Sequence, residues 1–127
     1  MAANVIDASA LGAVLFGEPE GPAMVERLRD RTLYAPALLP FEIVNVCVTK
    51  LRRHPNRRGV LLEAFAMLDR IDINIVEIDH RETVDVAERF GLTAYDASYL
   101  WLAQRLDVEL VTLDVRLARA TERGTGA

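Results

Sequence analysis

The sequence contains one cysteine, Cys47, so no disulfide can form within the chain. A small secreted scaffold held by bridges is thereby excluded. It contains one lysine, Lys50, and its basic charge is otherwise all arginine. Aromatic residues make up only 6% of the 127 positions, so the core has to be aliphatic and rich in alanine. No apolar run is long enough to span a bilayer. The N-terminal stretch is broken by Asp7 and has no basic leader region, so a soluble cytosolic protein with no membrane partner is expected. Positive charge is also in deficit: 15 Lys and Arg against 19 Asp and Glu leave a net charge of −4. A broad basic surface for nucleic acid is therefore excluded, and any such contact must be local. No repeat, low-complexity tract or linker interrupts the chain.

What remains is a chain of one-domain length, 51% hydrophobic, in which short strands alternate with helices. Asn4–Asp7, Thr32–Ala35, Ile73–Ile78 and Glu109–Leu113 read as strands. Helices are expected from Ser9, as cap, to Phe16, and from Gly21-Pro22 to Asp30. Others are expected over Leu39–Arg53 and Arg57–Arg70. Asp79 with Glu82 forms a capping-box pattern closed by Gly91, and Thr93 with Asp96 forms another. A last helix follows Val115. Such alternation implies right-handed crossovers and a mainly parallel sheet of four to five strands with helices on both faces. Ligands of these folds bind beyond the carboxyl ends of the strands.

Four acids fall at that edge. Asp7 ends the first strand, Asp114 follows the last, and Glu42 and Asp96 lie in first turns of helices. Each has a plain reading by itself: turn chemistry for Asp7, an N-cap for Asp114, a capping box for Asp96, a favourable helix dipole for Glu42. Together they would form a site of hard oxygen donors suited to magnesium or manganese. Such a metal can activate a water and offset charge on a phosphodiester.

The segments Asn4-Val-Ile-Asp-Ala-Ser9, Pro40-Phe-Glu-Ile-Val-Asn45, Ala94-Tyr-Asp-Ala-Ser-Tyr99 and Val111-Thr-Leu-Asp114 resemble, in order and spacing, the motifs of PIN-domain ribonucleases. The likeness spans nearly the whole chain and is greatest to the VapC toxins of bacterial toxin–antitoxin pairs. It implies a single Rossmann-like PIN domain over residues 1–127 and Mg2+- or Mn2+-dependent endoribonuclease activity. Asp7, Glu42, Asp96 and Asp114 would be the catalytic, metal-holding acids, supported by Thr112, Ser9 and Asn45. It also implies a homodimer, an RNA substrate and a cognate VapB-type antitoxin that places a basic side chain among the acids. Two departures stand out. The tail Arg123-Gly-Thr-Gly-Ala127 is too short and glycine-rich for the family's usual closing strand. Val115 replaces the charged residue common after the last aspartate.

On the long helix, Ile43, Val44, Cys47, Val48 and Leu51 share an apolar stripe, which makes Cys47 a core residue. Glu42, Asn45, Thr49 and Arg53 share a polar stripe. It leads to the densest basic stretch, with Lys50, Arg52, Arg53, Arg57 and Arg58 as candidate RNA contacts or simply a solvated helix end. His54 and His80 lack metal-ligand spacing. Tyr99 and Trp101 read as core or dimer contacts. Apolar residues of the early helices (Leu11, Val14, Leu15, Phe16, Met24, Leu28) are candidates for an exposed antitoxin face. Two other classes compete: a catalytically silent PIN scaffold that only binds, and a phospho-accepting receiver domain. The second lacks paired acids after the first strand and a lysine beyond a late one.

Overall fold

A computed structural model describes residues 2–125. Among them four strands form one parallel sheet: β1 (Ala3–Ile6), β2 (Thr32–Pro36), β3 (Ile73–Val76) and β4 (Glu109–Val111). Their order is β3-β2-β1-β4. Val5 stands between Tyr34 of β2 and Leu110 of β4, so the carboxyl ends of the central strands share one edge. Seven helices alternate with the strands: α1 (Ala8–Leu15), α2 (Gly21–Leu28), α3 (Leu39–Arg53), α4 (Arg58–Ala66), α5 (His80–Phe90), α6 (Ala94–Leu106) and α7 (Val115–Thr125).

The chain moves from β1 to β2 to β3 in one direction and then returns to place β4 beyond β1. Right-handed crossovers therefore put α1–α4 on one face and α5 and α6 on the other. The direction reverses at β1 and β4, which opens a crevice beyond their carboxyl ends. Packing follows this plan. α1 rests on α2 and α3, α3 on α4, and α6 on β1 and β2, with α5 and α7 beside it.

The core is aliphatic, as the composition required. Val5, Ile6, Leu11, Leu39, Ile43, Leu102, Val111 and Leu117 are buried, with Ala10, Ala35, Ala97 and Ala120 filling between them. Close packing of helices needs those small residues. At Gly21 a Cβ would stand 2.7 Å from the Ala13 carbonyl oxygen, so only glycine lets α2 approach α1. Cys47 is buried and free. No helix among the described residues is long and apolar enough to cross a membrane.

Several local expectations change. The helix expected over 57–70 is α4 flanked by tight 3-10 turns at Pro55–Arg57 and Met67–Arg70. Of its expected stripe Leu61 is buried, but Val60 is 59% exposed. The tail that read as too short and glycine-rich for a closing strand begins inside α7, which runs to Thr125; Gly126 and Ala127 lie outside the described residues. Helix α1 is capped by Asp7 rather than Ser9, the Asp7 carboxylate accepting from the Ala10 N–H. The apolar residues of α1 and α2 are not an open face: Leu11, Leu15 and Met24 are buried and Val14, Phe16 and Leu28 half-buried.

Candidate active site

The crevice at β1 and β4 is built from local backbone requirements. Asp7 leaves β1, and its N–H still reaches the Val111 carbonyl of β4. It then turns the chain into α1, where an N-cap must accept orphan N–H groups. Its Oδ1 accepts from the Ala10 N–H at 3.0 Å and from the Ser9 hydroxyl at 2.7 Å. Its Oδ2 accepts from the Thr112 hydroxyl. Thr112 Oγ in turn accepts from the Asp114 N–H at 2.9 Å, and Ser9 Oγ accepts from the Leu113 N–H at 2.9 Å. Thr112 and Ser9 thus lock the end of β1 to the β4–α7 turn and leave the Asp7 carboxylate a single orientation. Asp114 caps α7, its Oδ1 accepting from the Leu117 N–H at 2.9 Å.

Glu42 and Asp96 reach the same edge from first turns of α3 and α6. Thr93 caps α6, its hydroxyl oxygen accepting from the Asp96 N–H at 3.1 Å. Glu42 accepts a hydrogen bond from the Tyr99 hydroxyl at 2.5 Å. Tyr99 is buried one turn beyond Asp96 on α6. It ties α6 to α3 across 57 residues of sequence and positions Glu42.

Electrostatics shows how the acids relate. Burial raises the Asp7 carboxyl above its ordinary value; its three hydrogen bonds pull the other way, and the charge of Asp114 adds to the rise. Glu42 is raised by burial, then by Asp96 and Asp7, against the Tyr99 bond. Asp96 is raised by burial and by Asp114 and Asp7, with the Arg116 guanidinium partly offsetting them. The Tyr99 phenol is held far above its usual range by burial and by the Glu42 carboxylate. Charges from four separate segments therefore act at one edge, Asp114 on Asp7 and Asp96, Asp7 on Glu42 and Asp96, and Asp96 on Glu42. They are not drawn into a closed cage: among the described residues, no three Asp, Glu, His or Cys side chains are arranged to close on one ion. Carboxylate oxygens are hard donors of the kind magnesium and manganese take, with waters and substrate phosphate completing the shell.

The other residues named from the sequence divide. Asn45 lies exposed on α3, one turn beyond Glu42. Lys50 pairs with Glu18 and lies 5.5 Å from the Phe16 ring centre, which ties α3 to the end of α1. Its ammonium is thus committed within the protein. Arg52, Arg53, Arg57 and Arg58 are exposed. Trp101 is buried and donates to Glu82 at 2.8 Å, so the Glu82 side chain serves α6 rather than only a capping box. The contacts of Tyr99 with Glu42 and of Arg116 with Gly91 were not legible in the sequence. A tyrosine three residues after Asp96 and a charge two after Asp114 were the available signals. Large exposed apolar side chains flank the acids directly: Phe41 before Glu42, Tyr95 before Asp96, Val115 after Asp114.

This sheet order and acid-lined crevice define a class of protein. The PIN domain model matches residues 5–123, and the chain belongs to the PIN-domain family. Among particular relatives, Ribonuclease VapC3 of Pyrobaculum aerophilum is 31% identical over 125 residues, covering 90% of this chain and 91% of the relative. Ribonuclease VapC12 of Mycobacterium tuberculosis is 28% identical over 120 residues, covering 91% and 90%. The crystal structure of PAE2754 from P. aerophilum superposes with a TM-score of 0.74 at 26% identity, covering 94% of this chain and 85% of that one. The M. tuberculosis sarcin–ricin-loop-cleaving toxin VapC20 shares the fold, with a TM-score of 0.65 at 12% identity, covering 93% and 95%.

Proposed function

We propose that this chain is a toxin-type endoribonuclease that depends on magnesium or manganese, with Asp7, Glu42, Asp96 and Asp114 as metal-holding acids. The observation that carries this reading is the charge gathered at the crevice: beyond the effect of burial, Asp7 is raised by Asp114, Glu42 by Asp96 and Asp7, and Asp96 by Asp114 and Asp7. Such repulsion is costly in a folded protein unless a cation relieves it. When bound, the metal supplies that relief, a water of lowered pKa, and a counter-charge for the phosphodiester under attack.

The chain's own groups divide the remaining work. Thr112, Ser9 and the Ala10 N–H fix the Asp7 oxygens, and Tyr99 fixes Glu42. Losing a partner that orients a ligand in this way typically costs about 10- to 100-fold in metal affinity or activity. Arg52, Arg53, Arg57 and Arg58 form an outer strip for RNA backbone at the far end of α3, with Asn45 between them and the acids. Single-stranded RNA is the expected substrate, because A-form grooves hide base edges. The names of the relatives support a VapB-type antitoxin as partner. Its basic side chain would compete with metal for the acids, and the exposed Phe41, Tyr95 and Val115 offer it apolar contact. A homodimer and the use of residues 1–127 as one PIN domain complete the proposal. The experiment is cleavage of cellular RNA by the chain with divalent metal, its 5′ ends mapped against an Asp7→Asn control. Equal cleavage by the two would refute the site.

A further inference from the structure

The acids make the crevice repel the polyanion it is proposed to cut, so a cationic surface close by is needed. The outer strip is remote. Arg53 lies 11 residues beyond Glu42 on α3, roughly 16 Å at the rise of an α-helix. A nearer cluster lies on α7, which starts directly after Asp114. Arg116, Arg119 and Arg123 recur at helical spacing on one face and line a cleft of about 530 Å³ with Phe90, Leu92 and Glu122. That volume lies within the range of small-ligand sites, about 300–1,000 Å³.

Two of the arginines are held in place. The Arg116 guanidinium donates to the Gly91 carbonyl at 3.0 Å, and that of Arg123 to the Phe90 carbonyl at 3.3 Å. These carbonyls close the end of α5, where the chain turns through Gly91 at φ 64°. A plain reading would make the arginines caps for that helix end, where cations are favoured. It accounts for one N–H of each and leaves most of their five donors unused. It does not account for Arg119, which is exposed between them and makes no hydrogen bond or ion pair among the described residues. Three guanidiniums face one rim carboxylate, Glu122. The cleft also lies near the acids, because Arg116, which lines it, stands two residues beyond Asp114 in the first turn of α7.

We propose that this cleft between α5 and α7 holds a backbone phosphate of the RNA, next to the phosphate at the acids. Guanidinium forks match phosphate oxygens in charge and geometry. Anchoring two of them on backbone carbonyls reduces the entropy lost when they bind. The cleft confers affinity and strand direction without base choice. This inference rests on the ribonuclease reading, so its test measures binding apart from cleavage.

The probe is a short mixed-sequence single-stranded oligoribonucleotide. Its affinity is measured against salt in an Asp7→Asn background, which prevents cleavage. Arg119→Ala is expected to reduce the slope of log affinity against log salt by about 0.7, and Arg119→Ala with Arg123→Ala by about 1.4, the value for two phosphate contacts on a single strand. Affinity of the double variant should fall about tenfold or more, as expected for lost hydrogen bonds to charge. Arg119→Lys should keep the slope. Arg119 has no bond within the described protein, so Arg119→Ala should melt with the parent and keeps the test independent of folding. Unchanged affinity and slope in both alanine variants would overturn the proposal and return the arginines to helix capping, as would an absence of RNA binding. Loss of binding to an acidic peptide with RNA affinity intact would give the cleft to a protein partner and equally overturn it. RNA binding that depends on Arg119 in a chain that never cleaves would uphold the cleft and refute the nuclease reading.

Discussion

Replacing Asp7 by asparagine should move stability and activity in opposite directions. Asp7 is 5% exposed, and its folded-state pKa is raised by burial and by Asp114 despite three hydrogen bonds. A carboxyl raised on folding contributes stability that is complete below its unfolded value, ordinarily 3.8, and is lost as pH rises through the folded value. At neutral pH the ionised group therefore weighs against the fold. Asparagine removes the charge and keeps the shape. Its side-chain oxygen can still accept from Ala10 and Ser9, and asparagine caps helices as well as aspartate does. The Thr112 hydroxyl has only to rotate to accept from the amide. The metal-free variant should gain on the order of 1 kcal/mol. For a domain of this size that is about 4 °C in melting temperature. The same change should cut RNA cleavage by about 100-fold or more, as when a principal electrostatic stabiliser is lost. It should also reduce the rise in melting temperature that millimolar magnesium or manganese gives the wild type. The assay is thermal melting in chelator and in metal, from mild acid to neutral pH, beside cleavage rates. The stability gain should shrink as pH falls toward the ordinary aspartate value. A variant less stable than wild type in chelator, at every pH, would refute the reasoning and make Asp7 only a helix cap.

Tyr99→Phe keeps the buried ring but removes the donor that favours ionised Glu42. The acid limb of the pH–rate profile should move to higher pH, and an unmoved limb would detach Tyr99 from the site. Thr112→Val removes the hydroxyl that joins Asp7 to the Asp114 N–H. Half-saturation of activity should then need about 10- to 100-fold more metal, and an unchanged metal titration would count against that link. Arg53→Ala with Arg57→Ala should weaken binding of long RNA and flatten its salt dependence without moving the cleavage position. An unchanged salt slope would leave the strip as a solvated helix end.

Particular residues explain what was legible before the structure. Alternating elements imply a parallel sheet, and a parallel sheet brings strand carboxyl ends and helix starts to one edge. That rule allowed Asp7, Glu42, Asp96 and Asp114 to share an edge, though 107 positions separate the first from the last, and the family resemblance named them as a set. Sequence pattern failed where an outcome depended on a contact between distant segments. Ser9 looked like a cap, but its hydroxyl is drawn to Leu113 and leaves capping to Asp7. Tyr99 looked like a core residue and is one, yet its hydroxyl lies at the site. Lys50 looked like part of a basic strip, and Glu18 holds it elsewhere. The apolar residues of α1 and α2 could not be told from an exposed face, because periodicity marks a stripe but not its occupant. Leu11, Leu15 and Met24 spend theirs on the core.

The most direct test is a divalent-metal titration of RNA cleavage by the wild-type chain and by Asp96→Asn. Thr93 rather than Asp96 is the N-cap of α6, Asp96 is only half-buried, and an amide oxygen can keep its side-chain bond to Thr93, so the amide should fold normally. Its charge is felt by Glu42 and it lies under the influence of Asp7 and Asp114. The account predicts no cleavage in chelator, cleavage that saturates with magnesium or manganese in the wild type, and a loss of about 100-fold or more in the variant at every metal concentration. Cleavage that persists in chelator, or that Asp96→Asn leaves intact, would contradict it.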